Sequence, residues 1–425
     1  MPTVKQHFVA SGSTVKFDAI GPGASGNVSS LSWSHTATAG ALVIVALTTD
    51  RPNISAATYG GVQMLPLAIA RNPNGPNGTT VTQLHAIRNV AGGTQTIALT
   101  LGATSNVVAN SVSYLNVGTF GWPQPVNSGP GGATSDTQTI ACFPGQTVFS
   151  ARGAQGSGTP TWNGGTNRYS GSTNGSVWLS ISDAPGATTF TASATAANHW
   201  NDVALLLRPT GSPDIGVDAI GSYASGGNVT TMSWSHTIAA DASAVLVGVT
   251  SSIKPTDAPV TVKVGTTSMT QLSSVLYMAG PTFWRRMTVF SLLSPPAGTQ
   301  TVTVTTSGTV TMTGNSVSYV NVSGFGTPVT NSVNAAAASS TVSLTVPSTA
   351  AQPVFAAFTN DTTTSGEGFH NYDISIHTNT TYVTNYGFPL QLVDGNGANG
   401  VSFSNTLPPS PATLDWAAIG VPLLP

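Results

Sequence analysis

The sequence predicts an all-β protein made of two tandem, homologous antiparallel β-sandwich domains of jelly-roll-like type, and three observations carry that expectation. Charged residues are only 6% of the 425-residue chain, which has a single glutamate, Glu367, and four lysines; an average soluble protein has about a quarter charged. Exposed helices depend on those residue types. Ser, Thr, Asn and Gly supply the polarity instead, and β-branched residues, which favour strands, occur throughout. Finally, the first half of the chain recurs in the second.

The recurrence fixes the domain organisation. FDAIGPGASGNVSSLSWSHT (17–36) matches VDAIGSYASGGNVTTMSWSHT (217–237), and GGTQTIALT (92–100) matches AGTQTVTVT (297–305). NSVSYLNVGTFGWP (110–123) matches NSVSYVNVSGFGTP (315–328), and WNDVALLLRP (200–209) matches WAAIGVPLLP (416–425). The offset between copies grows from 200 at Asp18/Asp218 to 216 at Trp200/Trp416. Small steps of this kind are loop insertions in a shared fold, and a period near 200 residues is a whole domain rather than a solenoid repeat. Domain 1–210 is thus followed by domain 211–425 across PTGSPDIG (209–216), whose two prolines restrict the backbone.

Within each copy, apolar residues alternate or form short runs bounded by Gly, Pro and Asn, the pattern of strands. In the first copy it predicts strands near 14–20, 29–36, 41–49, 56–65, 81–88, 94–101, 107–117, 137–142, 146–152, 174–182, 188–194 and 202–208. ALVIVAL (41–47) is apolar on both faces, which two sheets packed face to face accommodate. VALLLRP (203–209) is expected at a sheet centre.

Charge and hydropathy narrow the partners. Residues 1–210 carry +3 and residues 211–425 carry −5, without the concentrated basic face that nucleic-acid binding requires. ALVIVAL is far short of the roughly 20 apolar residues of a membrane-spanning helix, so no membrane insertion is expected. Cys142 is the only cysteine, so an intrachain disulfide is impossible and an oxidising compartment is not required. The N-terminal MPTVKQHFVASGSTVKF lacks the apolar core and cleavage site of a secretory signal.

The residue types that could carry chemistry point mostly to structure. Leu31, Trp33 and His35 share one face of a strand, as do Met232, Trp234 and His236. They read as a core face running out to the rim, where the imidazole pairs with a loop carbonyl. A catalytic base or metal ligand is the competing reading, but no second His or Cys lies at ligand spacing. Asp18 and Asp218 are the acids duplicated with those histidines, yet no G-x-S-x-G elbow accompanies them. Paired carboxylates for glycoside hydrolysis are not expected, because the first copy has no glutamate and five scattered aspartates. DGNGANG (394–400) begins like a calcium loop but lacks the closing Glu, and reads as a hairpin turn. No catalytic residue, metal or cofactor is predicted.

Trp33, Trp234, Trp200 and Trp416 are the expected core anchors. Candidate contacts lie where the copies differ. PTFWRRMT (281–288) stands where the first copy has NGTTVT, so Phe283, Trp284, Arg285 and Arg286 exceed what the shared fold needs; Trp and Arg are frequent interface anchors. The insertion at 368–389 gathers His370, Tyr372, His377, Tyr382, Tyr386 and Phe388. Such residues grip a glycan or protein, or pack against a neighbouring subunit. Trp162, Tyr169 and Trp178 suit core, rim or ligand platform equally.

The succession SWSHT, ALVIVAL, YGGVQM, AGGTQT, NSVSYLNVG and a last strand with LRP resembles a β-sandwich module of actinobacterial phage virion proteins and bacterial surface proteins. DAIG…ASGN…SWSHT and NSVSY in particular resemble minor tail proteins of phages infecting mycobacteria and their relatives. The resemblance spans nearly the whole chain, once per domain; the second copy departs at VGTTSM (264–269), which lacks the GG, and at the insertion. It implies a non-enzymatic virion structural protein, a tail-tip or fibre-like subunit or alternatively a capsid-surface decoration. Such a protein is made in the host cytoplasm and assembled with other virion proteins, as a homo-oligomer that contacts host glycans or proteins. A bacterial surface or secreted pair of carbohydrate-binding modules is the reading from another class, and it predicts matched aromatic platforms in both copies.

Overall fold

The computed structural model describes residues 14–51, 55–75, 78–121, 124–127, 132–140, 142, 145–212, 214–252, 260–278, 284–333, 341–349, 352–360, 390–395, 400–406 and 415–425. Among them there are strands and turns but no helix, and the strands pair antiparallel. The chain groups into two compact units that divide between Pro213 and Asp214, with Leu65–Leu67 grouped with the second.

The first unit contains two eight-stranded sheets rather than one sandwich of two. The first sheet is formed by β1 (Lys16–Ile20), β2 (Ala24–Ala37), β3 (Leu42–Thr49), β4 (Ser55–Tyr59), β5 (Val62–Gln63), β6 (Leu65–Gly75), β7 (Gly78–Ile87) and β8 (Gly93–Leu115). Strand β8 organises it. One edge of β8 pairs with β2 and then β1, while the other pairs with β4 and then switches to β3. A strand with successive partners on one edge must bend, and a register shift between Val28 and Ser30 marks the bend. The sheet therefore folds over itself. Trp33, Tyr59, Ile97 and Leu99 from one layer meet Val43, Val45, Leu47 and Val107 from the other in a dry core.

The second sheet repeats this plan with β9 (Val117–Phe120), β10 (Gln124–Asn127), β11 (Ala133–Ile140), β12 (Thr147–Gly156), β13 (Pro160–Asn163), β14 (Thr166–Thr173), β15 (Val177–Pro185) and β16 (Thr188–Pro209). Strand β16 takes the part of β8: its first half pairs with β11 and β13, and its second half with β9, β10 and β12. Its stretch 203–209, expected at a sheet centre, is flanked on both edges. Each copy of the sequence repeat is therefore itself a pair of modules with the same strand topology.

The second unit follows suit. Its first module is β17 (Gly216–Ile220), β18 (Ala224–Ile238), β19 (Ala242–Ser251), β20 (Thr261–Val264), β21 (Thr267–Ser268), β22 (Thr270–Met278), β23 (Trp284–Leu293) and β24 (Gly298–Val320). Its second is β25 (Gly324–Phe325), β26 (Val329–Val333), β27 (Thr341–Val346), β28 (Val354–Asn360), β29 (Leu390–Gly395), β30 (Val401–Thr406) and β31 (Trp416–Leu424). Here β27–β30 and β28–β31 reproduce the pairings that β16 makes with β11 and β12.

Several sequence expectations change in detail. Segments 94–101 and 107–117 are one strand, β8, and 188–194 and 202–208 are one strand, β16. Segment 56–65 is a hairpin, β4–β5, turned at Gly60 and Gly61, both in the left-handed region (φ 57° and 82°) that glycine tolerates best. Strands β6, β13 and β14 arise where the sequence is rich in Asn, Gly and Pro.

Within the first unit, the two modules share a buried seam, which explains the two-sided apolar strands. Along β3, Val43, Val45 and Leu47 enter their own core, while Thr48 turns to Thr82 and towards Gly153 of β12. Along β12, Val148 and Ala154 join the second module's clusters, while Phe149 meets Tyr114 of β8 edge to face, ring centroids 6.3 Å apart. β3 is buried throughout and β12 up to Gln155, because they separate two packed layers.

Candidate functional site

The three repeated sequence signatures converge on one hydrogen-bonded cluster in each unit, a continuous chain in the second and two segments in the first. In the second unit, Trp234 Nε1 donates to Ser316 Oγ (2.9 Å), which contacts His236 Nδ1 (2.7 Å). His236 Nε2 contacts Ser318 Oγ (3.0 Å), and Ser318 donates to Asp218 Oδ2 (2.8 Å). The directions are consistent end to end: indole N–H to Ser316, Ser316 O–H to His Nδ1, His Nε2–H to Ser318, Ser318 O–H to the carboxylate. SWSHT supplies Trp and His, NSVSY supplies both serines, and DAIG supplies the Asp.

The first unit repeats the chain with one change. Trp33 Nε1 donates to Ser111 Oγ (2.8 Å), Ser111 Oγ contacts His35 Nδ1 (2.9 Å), and Ser113 Oγ donates to Asp18 Oδ2 (2.7 Å). Asp18 also accepts from Thr38 Oγ1 and N–H. His35 Nε2, however, has no protein partner; the Tyr59 ring lies edge-on to the imidazole, centroids 6.4 Å apart, where the register of the second copy puts Val264.

Both histidines are buried, 1% exposed, so their expected place at the rim with a loop carbonyl is corrected: they sit inside and pair with serines of the long central strand. Burial pushes His236 down to about 3 and lowers His35, the latter against the pull of Asp18. Both rings are neutral near pH 7. Burial acts on Asp18 in the opposite sense, but the Thr38 and Ser113 hydrogen bonds hold its carboxyl below the usual range.

Ser, His and Asp in one chain invite comparison with a hydrolase triad, and the geometry decides what this one can do. A nucleophilic serine needs an exposed Oγ with a lone pair free for attack. Ser111 and Ser316 are fully buried, and each accepts an indole N–H while facing the imidazole. The constellation ties three strands together, with both of these serine hydroxyls already engaged.

A second duplicated contact spans the seam in each unit. Tyr114 donates to Asp183 Oδ2 (2.8 Å), and Arg168 closes on the same carboxylate through Nε (2.9 Å) and Nη2 (3.0 Å) while stacking over Phe17 at 3.9 Å. In the second unit Tyr319 donates to Asp394. Asp394, expected in a glycine-rich turn, instead lies in β29 and is fully buried.

Where the units differ most is the interior of the module β9–β16. Ser180, Arg152 and Asp202 lie side by side across β15, β12 and β16, and Asp136 of β11 adjoins Asp202. The aspartates judged too scattered to pair are brought together by the fold. Arg152 is 1% exposed; it donates to the carbonyls of Asn163 (3.1 Å) and Thr191 (2.6 Å) and stacks on Trp162 and Phe190. The matching positions of the second unit, by register, are the buried Phe358 and Ala418.

Of the predicted anchors, Trp33, Trp234, Trp200 and Trp416 are all buried. Trp200 donates to the Ala133 carbonyl (2.8 Å) and meets the half-buried Trp162, which packs against this core, edge to face at 5.6 Å. Arg285 and Arg286 are half-buried on β23, opposite Tyr277 and Leu276. The side chains of Phe283 and Trp284, and His370, Tyr372, His377, Tyr382, Tyr386 and Phe388, lie outside the described residues. Among the described residues no three His, Cys, Asp or Glu side chains gather as a metal site. No protein-family model matches the chain, and no curated protein matches it.

Proposed function

We propose that this chain is a non-enzymatic structural protein of a phage particle, a minor tail or tail-tip subunit exposed to the host surface. One observation carries the reading: of the duplicated side chains capable of chemistry, Trp, Ser and His are buried in hydrogen-bond contact with one another, and the Asp accepts from the second serine. What the duplication preserves is a scaffold, and candidate contacts lie among what it varies, at 281–288 and 368–389. The sequence resemblance to tail-associated virion proteins supplies the biological setting, with other virion proteins as partners and assembly as a homo-oligomer.

The test is location and copy number in purified particles. A few copies at the tail tip are expected. Hundreds of copies would point to capsid decoration instead, and absence from particles would remove both virion readings. For host contact, replacing Tyr372, Tyr382 and Tyr386 together by Ala is expected to weaken attachment to cells while particles assemble normally; unchanged attachment would discard the insertion as the contact.

A further inference from the structure

The polar row inside the module β9–β16 is short of one positive charge. Asp202 is fully buried, and its carboxyl faces the Asp136 carboxyl and the Gly153 amide rather than taking a direct hydrogen bond from Arg152. Asp136, half-buried on the facing strand, adjoins it. Arg152 supplies the one cation, and its Nε, like Ser180 Oγ beside it, is buried without a partner. Among the described residues no other charged side chain of the module is aligned with the row: its neighbours are Ser182 and Ser180 on β15, Gln138 on β11 and Trp162 on β13, and Gln124–Asn127 of β10 has no ionisable residue. Arg168 is held by Asp183 in the seam.

Two carboxylates beside one guanidinium leave a net negative charge, and a buried charge left uncompensated, as at Asp202, costs several kcal/mol. Two ionised carboxylates have no hydrogen to share, so their approach becomes a hydrogen bond only when one carries a proton. We propose that Asp202, set beside Asp136 and Arg152, holds a proton at neutral pH, making this row a proton-binding site whose occupancy sets the stability of the first unit. The second unit serves as an internal control, since Phe358 and Ala418 leave it nothing to protonate there.

The electrostatics agree in direction. Burial first, then the Asp136 carboxylate and a hydrogen bond to it, push the Asp202 carboxyl well above the usual range; the Arg152 charge and the nearby Gly153 amide work the other way. An acid whose native pKa is raised binds more protons folded than unfolded. Its stabilisation is complete below about pH 4, the unfolded value, and is lost as pH rises through the native value.

The decisive measurement is infrared difference spectroscopy of the whole protein at pH 7, with Asp202→Asn and Asp136→Asn in parallel. A protonated-carboxyl band is expected in the wild type and absent from each variant that folds. Asp202→Asn should also flatten the fall of the unfolding midpoint between about pH 4 and pH 8. Absence of the band from the wild type overturns the proposal without reference to any variant. So does a midpoint at pH 8 that drops when sodium is replaced by tetramethylammonium, since the neutralising ligand would then be a metal cation.

Discussion

Tyr114 and Asp183, 69 residues apart in sequence, are joined by a 2.8 Å hydrogen bond across the seam of the first unit, and Tyr319 and Asp394 repeat the contact in the second. In both units the tyrosine comes from the NSVSY strand, so the repeated motif does two jobs: its serines serve the module's own core chain and its tyrosine faces the next module. The alternation of a strand makes that possible, because neighbouring residues point to opposite faces.

Replacing either tyrosine by Phe removes the donor and leaves a buried carboxylate. Tyr114→Phe and Tyr319→Phe are each expected to cost about 1–3 kcal/mol, read from urea unfolding. Burial, and then the adjacent Asp charge, raise both phenols well above their ordinary value. Their contribution is therefore intact below about pH 10 and lost above it, and their phenolate absorbance should appear only with unfolding.

The serine–histidine chain predicts the opposite pH dependence. A histidine whose native pKa is depressed leaves the folded protein fewer protons than the unfolded chain, so stability is full above about pH 6.5 and declines toward the value of about 3 for His236. Ser316→Ala should cost about 1–3 kcal/mol for each partner left unpaired, Trp234 and His236. A fluorophosphonate probe of serine nucleophiles should label neither Ser111 nor Ser316; labelling of either would contradict their burial between indole and imidazole.

Trp33→Ala and Trp234→Ala should each cost about 3–5 kcal/mol, because each removes a buried indole together with the donor that anchors the serine. Equilibrium unfolding of the single variants should place the losses in different units.

Gly153 marks the closest approach at the seam. A Cβ there would run into Thr82 Oγ1, Asn201 Oδ1 and Thr48 Oγ1, so Gly153→Ala is expected to cost about 1–3 kcal/mol by forcing the layers apart. Gly175→Ala provides contrast: its Cβ would meet nothing within 4 Å, though its φ of +61° adds strain of its own. Comparing the unfolding midpoints of the two separates crowding from backbone strain.

Much of this architecture was legible in the sequence. LSWSHTA alternates, and Trp33 and His35 do share the inward face; ALVIVAL is apolar on both sides, and β3 is buried on both. Serine was the blind spot. With so many serines in the chain, nothing singled out Ser111 and Ser113 except that NSVSY occurs twice, and their partners lie 76 and 95 residues away. The second level of duplication was equally hidden, because the modules of one unit share strand order without sharing residues. Asp136 and Asp202 read as scattered acids because strand pairing, not spacing, sets their distance.

By itself the sequence determined strand rather than helix, the tandem copies and the faces on which Trp and His lie, since these follow from composition, repetition and the two-residue period of a strand. Only the tertiary structure decided that each copy is two modules back to back, that the repeated polar residues gather into one hydrogen-bonded cluster, and that two aspartates adjoin one buried arginine. Those are relations between strands far apart in the chain, settled by where bends such as that of β8 direct each strand and by which polar groups must find partners once water is excluded.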